Sequence, residues 1–455
     1  MDKQLLSLIK KRLTIAVELS KVKNAHGLPT IDADAERTTM NNLMNSARRL
    51  GIDSPFAKQL GELLIAQSIH VQEDAKPHQS KDQLLKQIFE LADSLTAEGK
   101  QITRFEIGEP NFLPPKPIIK GLISSFQNNR IIGYGPASGL LELRRTLARE
   151  LSRDHNVTID PGQILITPGG RFAIFATVMS FVSELERVII PQPAWPAYEE
   201  CTMLTKGRII PINTTLESGW ELDLSKLEDE LRKGTRMLVL NNPNNPTGKV
   251  VNKKRFHEIV ELARKYNTFV LSDEVYEKYT RSRPPSILEE EYDNSIYVSS
   301  FSKRFSLTGW RIAYLVTSKE HANRIKRIIQ TAVTCVPEFV QRAAVFALKE
   351  GKSEAQRNIN KILGKLDQTC TELSKIDVEF YKPEGAFYVF PRTKKKNFDS
   401  IKFATQLLKE RQISISPGQS FGNYPAFFRL AVSLPRPLIP KAIRSIGQAI
   451  ESWPE

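Results

Sequence analysis

From about residue 82 onward, short apolar runs alternate with segments of helical periodicity, and this alternation restricts the possible folds more than any other feature. The runs are 164–167 (ILIT), 188–191 (VIIP), 237–240 (MLVL), 269–272 (FVLS), 296–300 (IYVSS) and 312–316 (IAYLV). Each is long enough for a strand and too short for a helix. Strands that are apolar at successive positions bury both faces, and strands joined through helices run parallel. The expected body is therefore α/β, a mostly parallel sheet covered on both sides by helices. Past Pro337 the pattern becomes a mixed α+β one.

The first 75 residues carry helical patterns and no strand. Leu5, Leu8, Arg12, Ile15, Leu19 and Val22 fall on one heptad-like seam, apolar except for the arginine. Pro29 ends this helical region. Asp32 and Asp34 offer a cap and a negative first turn to a second helix running to about Arg49. Gly51 closes it, and Ser54 followed by Pro55 reads as a cap and first-turn proline for a third helix through Gln72. An all-α domain of this size gains much of its core by pairing with a second copy. The polar stretch around Pro77 places a linker at 76–81, and Leu84, Leu85, Ile88, Leu91 and Leu95 begin the main body with an amphipathic helix. The expected domains are 1–75 and 82–455. The second divides into a large part, about 130–335, and a smaller one from 82–129 and 336–455.

The formal charge of +14 raises nucleic acid as a partner, but net charge speaks only to non-specific association. A basic surface suited to anionic metabolites accounts for it, and no nucleic-acid or membrane partner is expected. Three scattered cysteines, Cys201, Cys335 and Cys370, form neither a disulfide framework nor a zinc motif. Lysines interrupt the first apolar stretch, so it reads as a helix and not a signal peptide. No run spans a bilayer, and a cytoplasmic protein is expected.

Four clusters carry chemistry. Residues 241–248 (NNPNNPTG) follow a strand and, taken alone, make a good turn. Residues 271–276 (LSDEVY) set Asp273 at the end of a buried strand, where α/β sheets place ligands and where helix caps also occur. Residues 299–311 (SSFSKRFSLTGWR) set Lys303 between hydroxyls, the usual context of a solvated loop lysine. Residues 428–433 (FRLAVS) embed Arg429 in an apolar strand, where it requires an anionic partner.

Taken in this order, the four clusters resemble the class I/II aminotransferases, enzymes of fold type I that use pyridoxal 5'-phosphate. The resemblance runs from about residue 82 to the C-terminus and implies a role for each residue. Lys303 would be joined to the cofactor aldehyde and later shuttle the substrate α-proton. Asp273 would hold a proton on the ring nitrogen. Asn245 and Tyr276 would bond the ring oxygen, and Trp195, in PAWPAY, would stack on the ring or simply fill the core. Gly170 and Arg171, in ITPGGRFA, would bind the phosphate at a helix N-terminus, together with Ser300 and Arg311. Tyr134, in GYGPASG, matches the tyrosine lent to a neighbouring subunit and implies a homodimer. Arg429 would clamp the substrate α-carboxylate, which the backbone at Gly108, in IGEPN, would approach.

The N-terminal segment resembles the all-helical chorismate mutases. Arg12 and Lys23 are eleven residues apart and share a helix face. Ser68 and Gln72 lie at i, i+4. The resemblance has Arg12 bind a carboxylate, Lys23 and Gln72 serve the ether oxygen, Asp32 and Glu36 meet the hydroxyl end, and Ser68 complete the site. Two departures stand out: the first helix starts late, without the family's upstream arginine, and Ala35 occupies a position that is usually arginine.

These readings imply an aminotransferase that takes amino groups from glutamate or aspartate to prephenate, an aromatic or a dicarboxylic 2-oxo acid, fused to a chorismate mutase. The alternative is an aspartate or aromatic aminotransferase whose helical domain is degenerate, regulatory or dimerising. A transcription regulator would need a basic recognition helix in front, and a fold-type-I lyase would share Lys303 and Asp273 but release no keto acid in step with the amine.

Overall fold

The computed structural model describes residues 2–25, 33–74, 81–127 and 133–454. They form two compact units, Met1–Ser80 and Lys81–Glu455. Pro29, Asp32 and residues 76–80 lie outside the described residues.

In the smaller unit, α1 (Asp2–Ala25), α2 (Ala33–Arg49) and α3 (Ser54–Asp74) are the described elements, and α3 packs against both others. The cap of α3 differs from the expected one. Asp53, not Ser54, accepts the Phe56 N–H, at 3.2 Å, because a carboxylate at the preceding position reaches the third helical amide. The seam of α1 is not a core within one chain. Leu5, Leu8, Ile15, Leu19 and Val22 are 44–66% exposed, and among the described residues the unit buries only Ala16, Ala47, Ala57 and Ile69 as apolar side chains.

The larger unit opens with α4 (Lys81–Ala97), which buries Leu84, Leu85, Ile88 and Leu95. Each such side chain contributes about 1.5–3 kcal/mol of hydrophobic stabilisation. The central sheet has seven strands: β1 (Ile164–Thr167), β2 (Arg187–Gln192), β3 (Arg208–Asn213), β4 (Thr235–Asn241), β5 (Phe269–Asp273), β6 (Ser295–Ser300) and β7 (Ala313–Val316). Their order is β3-β2-β4-β5-β6-β7-β1, and β7 alone runs against its neighbours. The sheet is mostly parallel, as its apolar runs imply. β3 went unforeseen because it carries Pro211 and alternates in burial; both features suit the edge position it holds, where one side needs no donor.

A second apolar cluster joins Ile88, Leu95 and Phe105 to Leu366, Phe387, Leu408 and Ile443. The short strand Thr103–Arg104 pairs with Ile413–Ser414, so the start of this unit is built into its C-terminal part. The cleft lies between this layer and the C-terminal ends of the parallel strands.

Candidate active site

Parallel strands end their hydrogen-bond ladder at one edge, and loops leaving that edge converge. Asn241 ends β4, Asp273 ends β5 and Ser300 ends β6. Helix Gly170–Phe181 begins just beyond β1, and Lys303 sits in the turn of helix Phe301–Arg304 just after β6. With Trp195, Asn245, Tyr276, Arg311, Arg429 and Gly108 they line one cleft of about 360 Å³.

Lys303 is half-buried, and its Nζ donates to the Gly108 carbonyl at 2.5 Å. Burial brings its amine down to about 8; Glu109 opposes the shift, and Arg429 and Arg311 add to it. About a tenth of this amine is therefore neutral at pH 7, far more than for an ordinary lysine, as a nucleophile requires. Asp273 is fully buried, and burial raises its carboxyl to about 6. The Tyr198 hydroxyl donates to its Oδ2 at 2.7 Å and the Val275 N–H to its Oδ1 at 3.3 Å, both favouring the charged form.

Asn245 is set by its neighbours. Its N–H donates to Asn241 Oδ1 at 2.7 Å, and its own Oδ1 accepts from Arg429 Nη1 at 3.0 Å. Arg429 Nη2 donates to the Glu106 carbonyl at 2.7 Å and Ser416 Oγ at 3.1 Å, while its Nε is buried without an acceptor among the described residues. The guanidinium lies over Tyr388 and Phe421, 4.6 and 5.0 Å from their centroids. Among the described residues no carboxylate bonds it, so this buried cation is held at the cleft by neutral groups. The Tyr276 and Tyr388 hydroxyls share a hydrogen bond of 2.7 Å. A Cβ on Gly108 would stand 2.6 Å from the Tyr388 hydroxyl, so only glycine leaves that approach clear.

The anion cup forms at the other end. Gly169 has φ +91°, and a Cβ there would stand 2.2 Å from Arg311 Nη2. Glycine therefore admits the guanidinium against the start of the helix that Gly170 opens. The Arg171 side chain turns to Asp82, with bonds of 3.2 and 3.3 Å, and its guanidinium lies 4.9 Å over the Trp195 ring. Tyr134 is 91% exposed and outside this cleft.

Tyr198, Tyr388 and Asp82 were not anticipated from sequence. Tyr198 has the one available signal, since it follows Trp195 by three residues and returns to the same side of a helical turn.

In the smaller unit, Arg12 Nε donates to Ser68 Oγ at 3.2 Å and Gln72 Nε2 to the Ser68 carbonyl at 3.1 Å. Among the described residues Gln72 Oε1 is buried without a partner. Lys23 and Glu36 lie on α1 and α2. Asp32 is outside the described residues.

Behind the cleft, Glu274 is fully buried, and burial raises its carboxyl to about 8. Its Oε1 accepts from Ser272 Oγ at 2.8 Å and the Ile287 N–H at 2.9 Å. Because the folded value lies above the ordinary one, this group's stabilisation is complete below the usual carboxylate range and is lost as pH rises to about 8. Glu274→Gln should flatten the fall of Tm over that interval. An unchanged slope in the variant would remove Glu274 as its cause.

Fold and site together define an aminotransferase. Residues 100–446 match the model of aminotransferase class I and II, and residues 1–73 match chorismate mutase type II. The chain belongs to the class I and II aminotransferases, with a chorismate-mutase-type domain fused in front. It is similar to a probable aspartate/prephenate aminotransferase of Aquifex aeolicus, 32% identical over 79% of this chain and 94% of that protein. Aromatic-amino-acid aminotransferase 2 of Thermococcus litoralis is 31% identical over 74% of this chain and 88% of its own length. The crystal structure of an aspartate aminotransferase from Thermotoga maritima matches with a TM-score of 0.76 at 29% identity, covering 81% of this chain and 97% of that one. Enzymes of this class depend on pyridoxal phosphate. Among the described residues no helix is long and apolar enough to cross a membrane.

Proposed function

We propose that this chain carries pyridoxal 5'-phosphate in the cleft and moves amino groups from glutamate or aspartate to a 2-oxo acid, prephenate among them, while the helical domain converts chorismate to prephenate. The observation that carries the reading is one buried cleft holding an amine lowered to about 8 and a carboxylate fixed by Tyr198. The residues fit the cofactor: Gly169 makes room for Arg311 beside a helix N-terminus, Trp195 offers a ring face, and Arg429 keeps an unspent buried donor. When bound, the cofactor supplies an aldehyde for the amino group and a ring that accepts electrons from the substrate α-carbon.

The chain's own residues do the rest. Lys303 removes and returns the proton at the substrate α-carbon, for which its neutral form is required. Asp273 holds a proton at the ring nitrogen, and Tyr198 keeps its carboxylate oriented. Asn245 and Tyr276 steady the ring oxygen. Ser300, Arg311 and the amides of Gly170 and Arg171 hold the phosphate. Arg429 takes the α-carboxylate, next to the backbone of Gly108. Tyr134, exposed on one chain, serves the neighbouring copy in a homodimer, and the uncovered seam of α1 supports pairing in the smaller unit as well. There Arg12, Lys23, Glu36, Ser68 and Gln72, with Asp32, would hold the dianionic substrate.

The test supplies chorismate, glutamate and pyridoxal phosphate to the pure protein. Arogenate is the expected product. Accumulating prephenate would leave only the mutase, and untouched chorismate would mean that the helical domain only dimerises or regulates. Amino exchange among aspartate, phenylalanine and 2-oxoglutarate that ignores prephenate would make this an aspartate or aromatic aminotransferase.

A further inference from the structure

Two buried tyrosine hydroxyls meet in the cleft, those of Tyr276 and Tyr388. Tyr276 lies in the turn just past β5. Tyr388 begins the short strand Tyr388–Val389, which pairs with Phe428–Ala431, the strand that carries Arg429. The hydroxyls are 2.7 Å apart, and among the described residues neither has another hydrogen-bond partner. A hydroxyl carries a single hydrogen. Whichever tyrosine donates spends it, and the other keeps one for an acceptor in the cleft.

The surroundings decide the direction. The Arg429 guanidinium stands 4.6 Å over the Tyr388 ring and favours loss of its proton. Burial raises both hydroxyls. At Tyr388 the rise is opposed by Arg429 and Tyr276, with Asp273 and Glu109 adding to it. At Tyr276 burial is joined by Tyr388 and Asp273, only Arg429 opposes, and the group ends well above the usual tyrosine range. Tyr388 is therefore the stronger acid of the pair and the donor within it. Tyr276 accepts and keeps its own hydrogen.

We infer that Tyr388 is a positioning residue: by donating to Tyr276 it turns the Tyr276 hydrogen toward the cofactor ring oxygen and strengthens that donation. The inference rests on the cofactor reading above and adds a second residue to the group that sets this oxygen. A hydroxyl that accepts one hydrogen bond donates the next more strongly, by about 10–30%. A stronger donor draws charge from the ring oxygen, and Lys303 Nζ, joined to the cofactor beside it, then holds its proton less firmly.

The test is a pH titration of the visible absorption of the cofactor-loaded enzyme. Tyr388→Phe keeps the ring beneath Arg429 and removes only the hydroxyl. Its absorption change is expected about 0.3 unit higher in pH, a fraction of one charge-assisted hydrogen bond. Tyr276→Phe should move it higher by about 1–2 units. Adding Tyr388→Phe to Tyr276→Phe should move it no further, because the relay is already broken. A purely structural role would lower Tm and act alike in both backgrounds. An unmoved titration, a shift to lower pH, or the same shift with and without the Tyr276 hydroxyl would overturn the inference and leave the cofactor reading standing. A protein that gains no visible band with pyridoxal phosphate would overturn both.

Discussion

Lys303→Ala is expected to abolish amino-group exchange, by about 10⁴-fold or more, because it removes both the amine that carries the cofactor and the base that moves the α-proton. The size follows from the surroundings of this amine. It is half-buried beside Arg429 and Arg311, and among the described residues its one hydrogen bond is to the Gly108 carbonyl. No nearby lysine can substitute, since Lys86, the other lysine of the cleft, is bound to Asp82 at its rim. Loss of a desolvated amine should leave the fold intact, so Tm serves as the control. Lys303→Arg should be equally inactive, because a guanidinium keeps its charge at any working pH. Either variant retaining a tenth of the exchange rate would refute the assignment.

Arg429→Lys is expected to lower kcat/KM by about 2–5 kcal/mol, or about 30- to 4000-fold at 1.4 kcal/mol per factor of ten. Most of the loss should enter through KM. The argument is geometric. The guanidinium engages both terminal nitrogens with Asn245, Glu106 and Ser416, is layered against Tyr388 and Phe421, and among the described residues retains a buried Nε without an acceptor. An ammonium cannot reproduce that planar set of donors, whether they face these neighbours or turn to a carboxylate. The loss should be similar for aspartate and phenylalanine, since both carry the α-carboxylate. A change confined to one donor class would assign Arg429 to the side chain instead.

Much of this site could be read in the sequence because its chemistry is local. Asp273, Asn245, Ser300 and Lys303 each sit at or just past a strand end, and an apolar run followed by polar residues marks that place without knowledge of the fold. What stayed hidden were the partners. Tyr198 meets Asp273 across 75 residues, Tyr388 meets Tyr276 across 112, and Asp82 meets Arg171 across 89. Such pairs form only when the sheet and the C-terminal layer close on one another, and no short-range pattern records them. The same holds for β3, whose Pro211 argues against a strand until the edge position is known. In the helical unit the heptad seam was legible, and three helices without a strand already pointed to a core that one chain leaves uncovered.

The most direct test of the account is to reduce the cofactor-loaded enzyme with borohydride, which fixes the cofactor to whichever amine carries it, and to map the modified peptide by mass spectrometry. The pyridoxyl mass is expected on Lys303 alone, in the peptide that follows β6. A mark on any other lysine, or none at all on a protein that still exchanges amino groups, would contradict it.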